Sequence, residues 1–110
     1  MSSAITRLQD WYLFQCDGDW EHSYGVSVGT LDNPGWSLSV DLEGTGLEDV
    51  AFAEHRENYG DEMGWLICAR TATTFGGNGG PRMLERMIEI FLEWAEASAA
   101  LSSASTSVTV

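Results

Sequence analysis

Three carboxylates and a histidine, Asp17, Asp19, Glu21 and His22, stand within one short run that also holds Cys16, Gly18 and Trp20. Carboxylate oxygens at that density suit calcium or magnesium. The spacing does not, because a calcium loop of the EF-hand type needs glycine at its sixth position, where a count from Asp17 reaches His22. The run therefore reads as a solvated acidic loop or a protein-binding loop, and neither a metal nor another cofactor is expected. Catalysis finds less support. His22 and His55 are the only histidines, and neither lies in a nucleophile motif. Ser23 reads as a turn or strand residue. Cys16 or Cys68 would need a histidine brought to it in space. Residues 76–80, Gly-Gly-Asn-Gly-Gly, look like a phosphate cradle, but no lysine follows as a P-loop requires. They are expected as a flexible connection into a helix, and no catalytic residue is assigned.

The elements that must position this loop are legible on either side of it. Ile5, Leu8, Trp11 and Tyr12 recur at three and four residues, so a helix is expected from Ser3 to about Cys16, with Ser2 or Ser3 as its cap. Tyr24, Val26 and Val28 alternate with small residues, as do Trp36, Leu38, Val40 and Leu42 with polar ones. Two antiparallel strands joined through Asp32, Asn33, Pro34 and Gly35 follow from that alternation. A weaker strand is expected at 50–52, and a near-continuous apolar one at 64–70 that suits a central place in the sheet. From Pro81 onward Leu84, Met87, Ile88, Phe91, Leu92 and Ala95 share one face of a second helix.

The expected fold is α+β: an antiparallel meander of about four strands, with the N-terminal and C-terminal helices packed on one face. The other face, carrying Ser27, Ser37, Ser39, Asp41 and Glu43, is left open. Residues 1–97 form one domain, and the Ser, Ala and Thr-rich residues 98–110 read as a disordered tail. Trp11, Trp65 and Trp94 are expected in the core. Trp20 and Trp36 adjoin a loop or turn, and each reads either as a lid over the sheet edge or as an exposed anchor for a partner.

Charge bounds the partners. Five arginines and no lysine against seventeen acidic residues leave −12 over 110 residues. Such a surface repels nucleic acid and anionic membranes and suits a basic protein, although acidity for solubility alone gives the same number. Two cysteines without zinc or secreted-framework spacing, Cys16 and Cys68, read as reduced thiols in a cytoplasmic protein, with a disulfide between them as the alternative. The N-terminus shows no leader pattern, and no apolar run is long enough to span a bilayer.

Several segments resemble the immunity protein 53 family of bacterial polymorphic toxin systems. They are Leu8-Gln9-Asp10-Trp11-Tyr12, Gln15-Cys16-Asp17-Gly18-Asp19-Trp20-Glu21-His22, Tyr24-Gly25, Leu31-Asp32-Asn33-Pro34-Gly35-Trp36 and Asp41-Leu42-Glu43-Gly44-Thr45. Residues 77–81 and Glu89-Ile90-Phe91-Leu92-Glu93-Trp94 look like the family's closing portion. The resemblance implies a protein that binds and neutralises a cognate toxin, and immunity proteins as a class often act on nucleases. Charge and placement then nominate Asp17, Asp19 and Glu21 with Trp20 as anchor, supported by Asp41 and Glu43. The unmatched stretch with Glu54, Arg56, Glu57, Tyr59, Asp61 and Glu62 is a rival surface, because discrimination among toxins needs variable positions. The alternative function is a small enzyme or a metal- or ligand-binding domain using residues 16–24. Oligomeric state is not encoded in any pattern found.

Overall fold

Ser3 opens the first helix: its hydroxyl accepts the Thr6 amide at 3.1 Å, satisfying one of the N–H groups that a helix start leaves unpaired. The computed structural model describes residues 3–58, 60–61 and 63–109, with side chains as far as residue 99. Helix α1 runs Ala4–Gln15 and ends at Cys16. Gly18, at φ +97°, turns the chain into a single helical turn, α2 (Trp20–Ser23), inside what reads in sequence as loop. The expected hairpin follows, with β1 (Val26–Leu31) antiparallel to β2 (Gly35–Asp41).

Beyond β2 the chain departs from the sequence-based expectation. Residues 50–52 form no strand; Phe52 instead packs its ring 5.2 Å from Phe75 and 5.1 Å from Trp94. A short strand, β3 (His55–Glu57), forms after it. Strand β4 (Leu66–Arg70) lies where expected, but the glycine-rich run is no connection. It is β5 (Thr74–Gly79), the middle strand of a five-stranded sheet ordered β1-β2-β5-β4-β3. Every neighbouring pair is antiparallel, and the sheet belongs to the expected α+β class. The order is not sequential, however, since the chain leaves β2 for the far edge and β5 returns to pair with it.

The glycines of β5 have a packing reason. Register places Gly77 between Leu38 and Cys68, and Gly79 between Trp36 and Leu66. A Cβ at Gly77 would stand 2.9 Å from Met87 Sδ, and one at Gly79 would stand 3.0 Å from Met83 Cβ. Bare backbone at the sheet centre therefore lets helix α3 (Leu84–Thr109) lie close against it. The helix begins at Leu84 rather than Pro81, which sits in the turn before it. Leu38, Val40, Leu66, Cys68, Phe75, Met87, Ile88, Phe91 and Leu92 make the fully enclosed core between sheet and α3. Helix α1 lies alongside α3, with Trp11 edge-on to Phe91 at 4.9 Å. The expectation of a separate tail at 98–110 falls mainly on residues beyond the described side chains.

Segment 42–54 crosses from β2 to β3 and is pinned by Arg70. Its guanidinium donates to the carbonyls of Leu47 at 2.9 Å, Glu48 at 2.8 Å and Val50, and also to those of Thr71 at 2.9 Å and Ala72 at 3.0 Å. Five donors in a rigid fork suit this task, and an ammonium group could not span the same carbonyls. The Trp94 indole completes the fastening by donating to Ala51 O at 3.0 Å.

Candidate protein-binding surface

The acidic run is a closed loop whose carboxylates hold its own backbone. Asp17 Oδ1 accepts the amides of Asp19 and Trp20, both at 2.9 Å, and so starts α2. Glu21 reaches back to accept Asp17 N at 3.0 Å and Gly18 N at 2.9 Å, in the reciprocal manner of a capping box. These amides hold both carboxyls below the usual range, Asp17 through Trp20 and Asp19, Glu21 through its own amide and those of Asp17 and Gly18. Both are ionised, with Asp17 Oδ1 and both oxygens of Glu21 engaged by the loop's own amides. Asp19 differs: it is exposed, and its carboxylate has no partner among the described residues.

Trp20 joins the loop to the sheet. Only 5% of its surface is exposed, so of its two readings the structure selects the lid. Its indole N–H donates to Glu43 O at 2.8 Å, and its ring meets Trp11, Tyr12 and Tyr24 at centroid distances of 6.3, 6.0 and 6.2 Å. Tyr24 donates its hydroxyl to the Glu43 carboxylate, which pushes the phenol upward from its ordinary value. Asp41 Oδ2 accepts Gly25 N at 2.9 Å. Asp17, Asp19, Glu21, Asp41 and Glu43 are thus gathered where the ends of β1 and β2 meet the loop. The field of Glu48, from the crossing segment, also reaches Tyr24. Sequence reasoning missed Glu48, because only the path of residues 42–54 brings it to this end.

The rival stretch lies at the opposite sheet edge, on and after β3. Two of its carboxylates are spent on ion pairs, Glu54 with Arg56 at 2.8 Å and Glu57 with Arg86 at 2.7 Å, and Glu57 also shares a hydrogen bond with His55 at 2.8 Å. Asp61 accepts Met63 N at 3.1 Å, while Tyr59 and Glu62 lie outside the described residues. Arg86 and then His55 hold the Glu57 carboxyl at about 2, below its ordinary 4.5. A carboxyl depressed by folding adds stability that is complete above its unfolded value and lost as pH falls toward its folded one. Glu57→Gln is therefore expected to cost about 1–3 kcal/mol at pH 6, and the difference from the parent should vanish near pH 2. Urea unfolding of both proteins across that range measures it.

No element among the described residues covers the sheet face away from the helices, which register lines with Ser27, Ser37, Ser39, Gly76, Asn78 and Ala69 around Ile67. No group of three or more His, Cys, Asp or Glu side chains among the described residues is placed to hold a metal. Cys16 and Cys68 are both thiols, and burial pushes the enclosed Cys68 up to about 12, which suits packing rather than nucleophilic attack. No helix among the described residues is long and apolar enough to cross a membrane. Compared with known proteins, residues 5–96 match the family model described as Immunity protein 53. No curated protein and no solved structure matches the chain.

Proposed function

The chain belongs to the immunity protein 53 family, whose members neutralise toxins without catalysis, and from that premise we propose that it blocks a basic cognate toxin through the acidic end at residues 16–25. A nuclease is the toxin class whose chemistry fits, because it must present cations to phosphate and those cations are what a dense carboxylate surface attracts. Asp19 and Glu48 make the outward contacts. Asp17, Glu21, Asp41 and Glu43 hold the loop and add their charge to its field, while Trp20 supports them from beneath. Inhibition takes place in the cytoplasm, by occupation of the toxin's cleft or rim.

One observation carries this choice of surface over its rival. At β3 the carboxylates of Glu54 and Glu57 are paired with Arg56 and Arg86, whereas no arginine pairs with the acidic residues at the loop end among the described residues. Unneutralised charge speeds the encounter with an opposite surface and makes it sensitive to salt.

The test is association with the cognate toxin domain. Asp19→Asn combined with Glu48→Gln should slow association about three- to tenfold at low salt and flatten its salt dependence, with thermal unfolding unchanged. An unaltered association rate would move the interface elsewhere. Failure of the parent chain to rescue cells expressing the toxin would remove the toxin pairing itself.

A further inference from the structure

Helices α1 and α3 leave a groove of about 570 Å³ between them, well away from the uncovered sheet face. Each helix contributes a row at helical spacing. From α1 come Arg7, Asp10, Trp11 and Phe14; from α3 come Leu92, Ala95, Glu96 and Ala99, with Leu47 of the crossing segment beneath. The small side chains of Ala95 and Ala99 create the space. Arg7 donates to Glu96 at 2.6 Å and ties the two helices together across it. Phe14 forms one wall with 86% of its surface exposed, beside Leu13 at 68%. Among the described residues nothing packs on this ring to seat α1, which Ala4, Leu8 and Trp11 already hold.

Resting on the toxin-binding reading, we propose that this groove seats an apolar side chain of the cationic toxin, packed against Phe14 and flanked by a toxin lysine or arginine paired with Asp10. The volume is that of a side-chain or small-ligand pocket, and aromatic anchors in such pockets dominate binding energy at protein interfaces. Charge decides the occupant. Asp10 is exposed at the rim without a partner among the described residues, and Arg7, the one cation that lines the groove, is already paired with Glu96 and lies in the field of Glu89 and of Glu93, which also pairs with Arg86 at 3.7 Å. A second copy of this chain, at −12, would set like charges against that rim, whereas a basic protein would satisfy it. Trp11 links the groove to the acidic loop through its edge contact with Trp20 at 6.3 Å, so one partner can reach both.

The experiment uses the cognate toxin domain, catalytically inactivated, with the full chain. Benzoylphenylalanine is placed in turn at position 14, at position 39 on the uncovered sheet face and at position 19 in the loop, and photocrosslinking to the toxin is scored. Alongside, Phe14→Ala and the groove-filling Ala99→Trp are measured for affinity and for thermal unfolding. Crosslinking from position 14 is expected, with affinity falling about 30-fold in both variants and folding unchanged, because neither side chain is buried. Parental affinity in both variants, with crosslinks only from position 19 or 39, overturns the groove and leaves the toxin reading standing. A parent chain that dimerises through the groove, with Phe14→Ala restoring the monomer, gives the site to a second copy and overturns the proposal. A parent chain that does not bind the toxin overturns both readings together.

Discussion

Trp20→Ala is expected to destabilise the domain by about 3–5 kcal/mol, which corresponds to a melting temperature lower by on the order of 12–20 °C. The indole is enclosed by the rings of Trp11, Tyr12 and Tyr24, and truncation leaves a cavity between α1, Tyr24 and the turn at residues 43–44. It also leaves Glu43 O without its donor at the point where the loop is fastened to the end of β2. Trp20→Phe separates the two contributions, since it keeps most of the packing and loses the hydrogen bond. A cost of about 1–2 kcal/mol is expected for it. Denaturant unfolding checks both, and near-equal losses in the two variants would mean that the hydrogen bond, not the ring, secures the loop.

Gly80→Ala is expected to cost about 3 kcal/mol or more, in contrast to a nearby glycine that tolerates a methyl group. A Cβ at Gly80 would stand 2.1 Å from Met63 O and 2.7 Å from Met63 C, so two backbone segments would have to separate. The Gly80 N–H bond to Trp65 O, at 2.9 Å, holds them together and would be strained by the same movement. At Gly76 an added Cβ meets nothing closer than Ala69 O at 3.9 Å. Gly76→Ala should therefore be neutral or stabilising by about 0.5–1 kcal/mol, through lower entropy of the unfolded chain and better strand propensity. Thermal unfolding of the two single variants decides it. Equal effects would show that close approach is not why glycine stands at position 80, just past β5.

The same strand marks the limit of local reading. Alternation exposes the β1 and β2 hairpin because Leu38 and Val40 bury their side chains and Val26 half-buries its own, and period two is a local signal in the sequence even where Val28 stays exposed. Strand β5 carries Gly76, Gly77 and Gly79, which bury no side chain and are individually disfavoured in strands, so its sequence resembles a connection. Only two flanking strands and an overlying helix make a strand of it. Likewise Val50 and Phe52 pattern as a strand, yet Phe52 is drawn instead against Phe75 and Trp94. In the acidic run, residue types alone show charge. They do not show that Asp17 and Glu21 are turned to amides while Asp19 is not, since that depends on where the one-turn helix α2 forms.

What the amino-acid order determined by itself was the α+β class, a helix near each end of the domain, the net negative charge and the family motifs, because each depends on composition or on a period of a few residues. The tertiary structure alone decided the central place of β5, the enclosure of Trp20, the reach of the Glu48 charge to Tyr24 and the groove walled by Phe14. Each of these needs segments far apart in the chain to meet, and the contacts that bring them together leave no periodic trace in either partner.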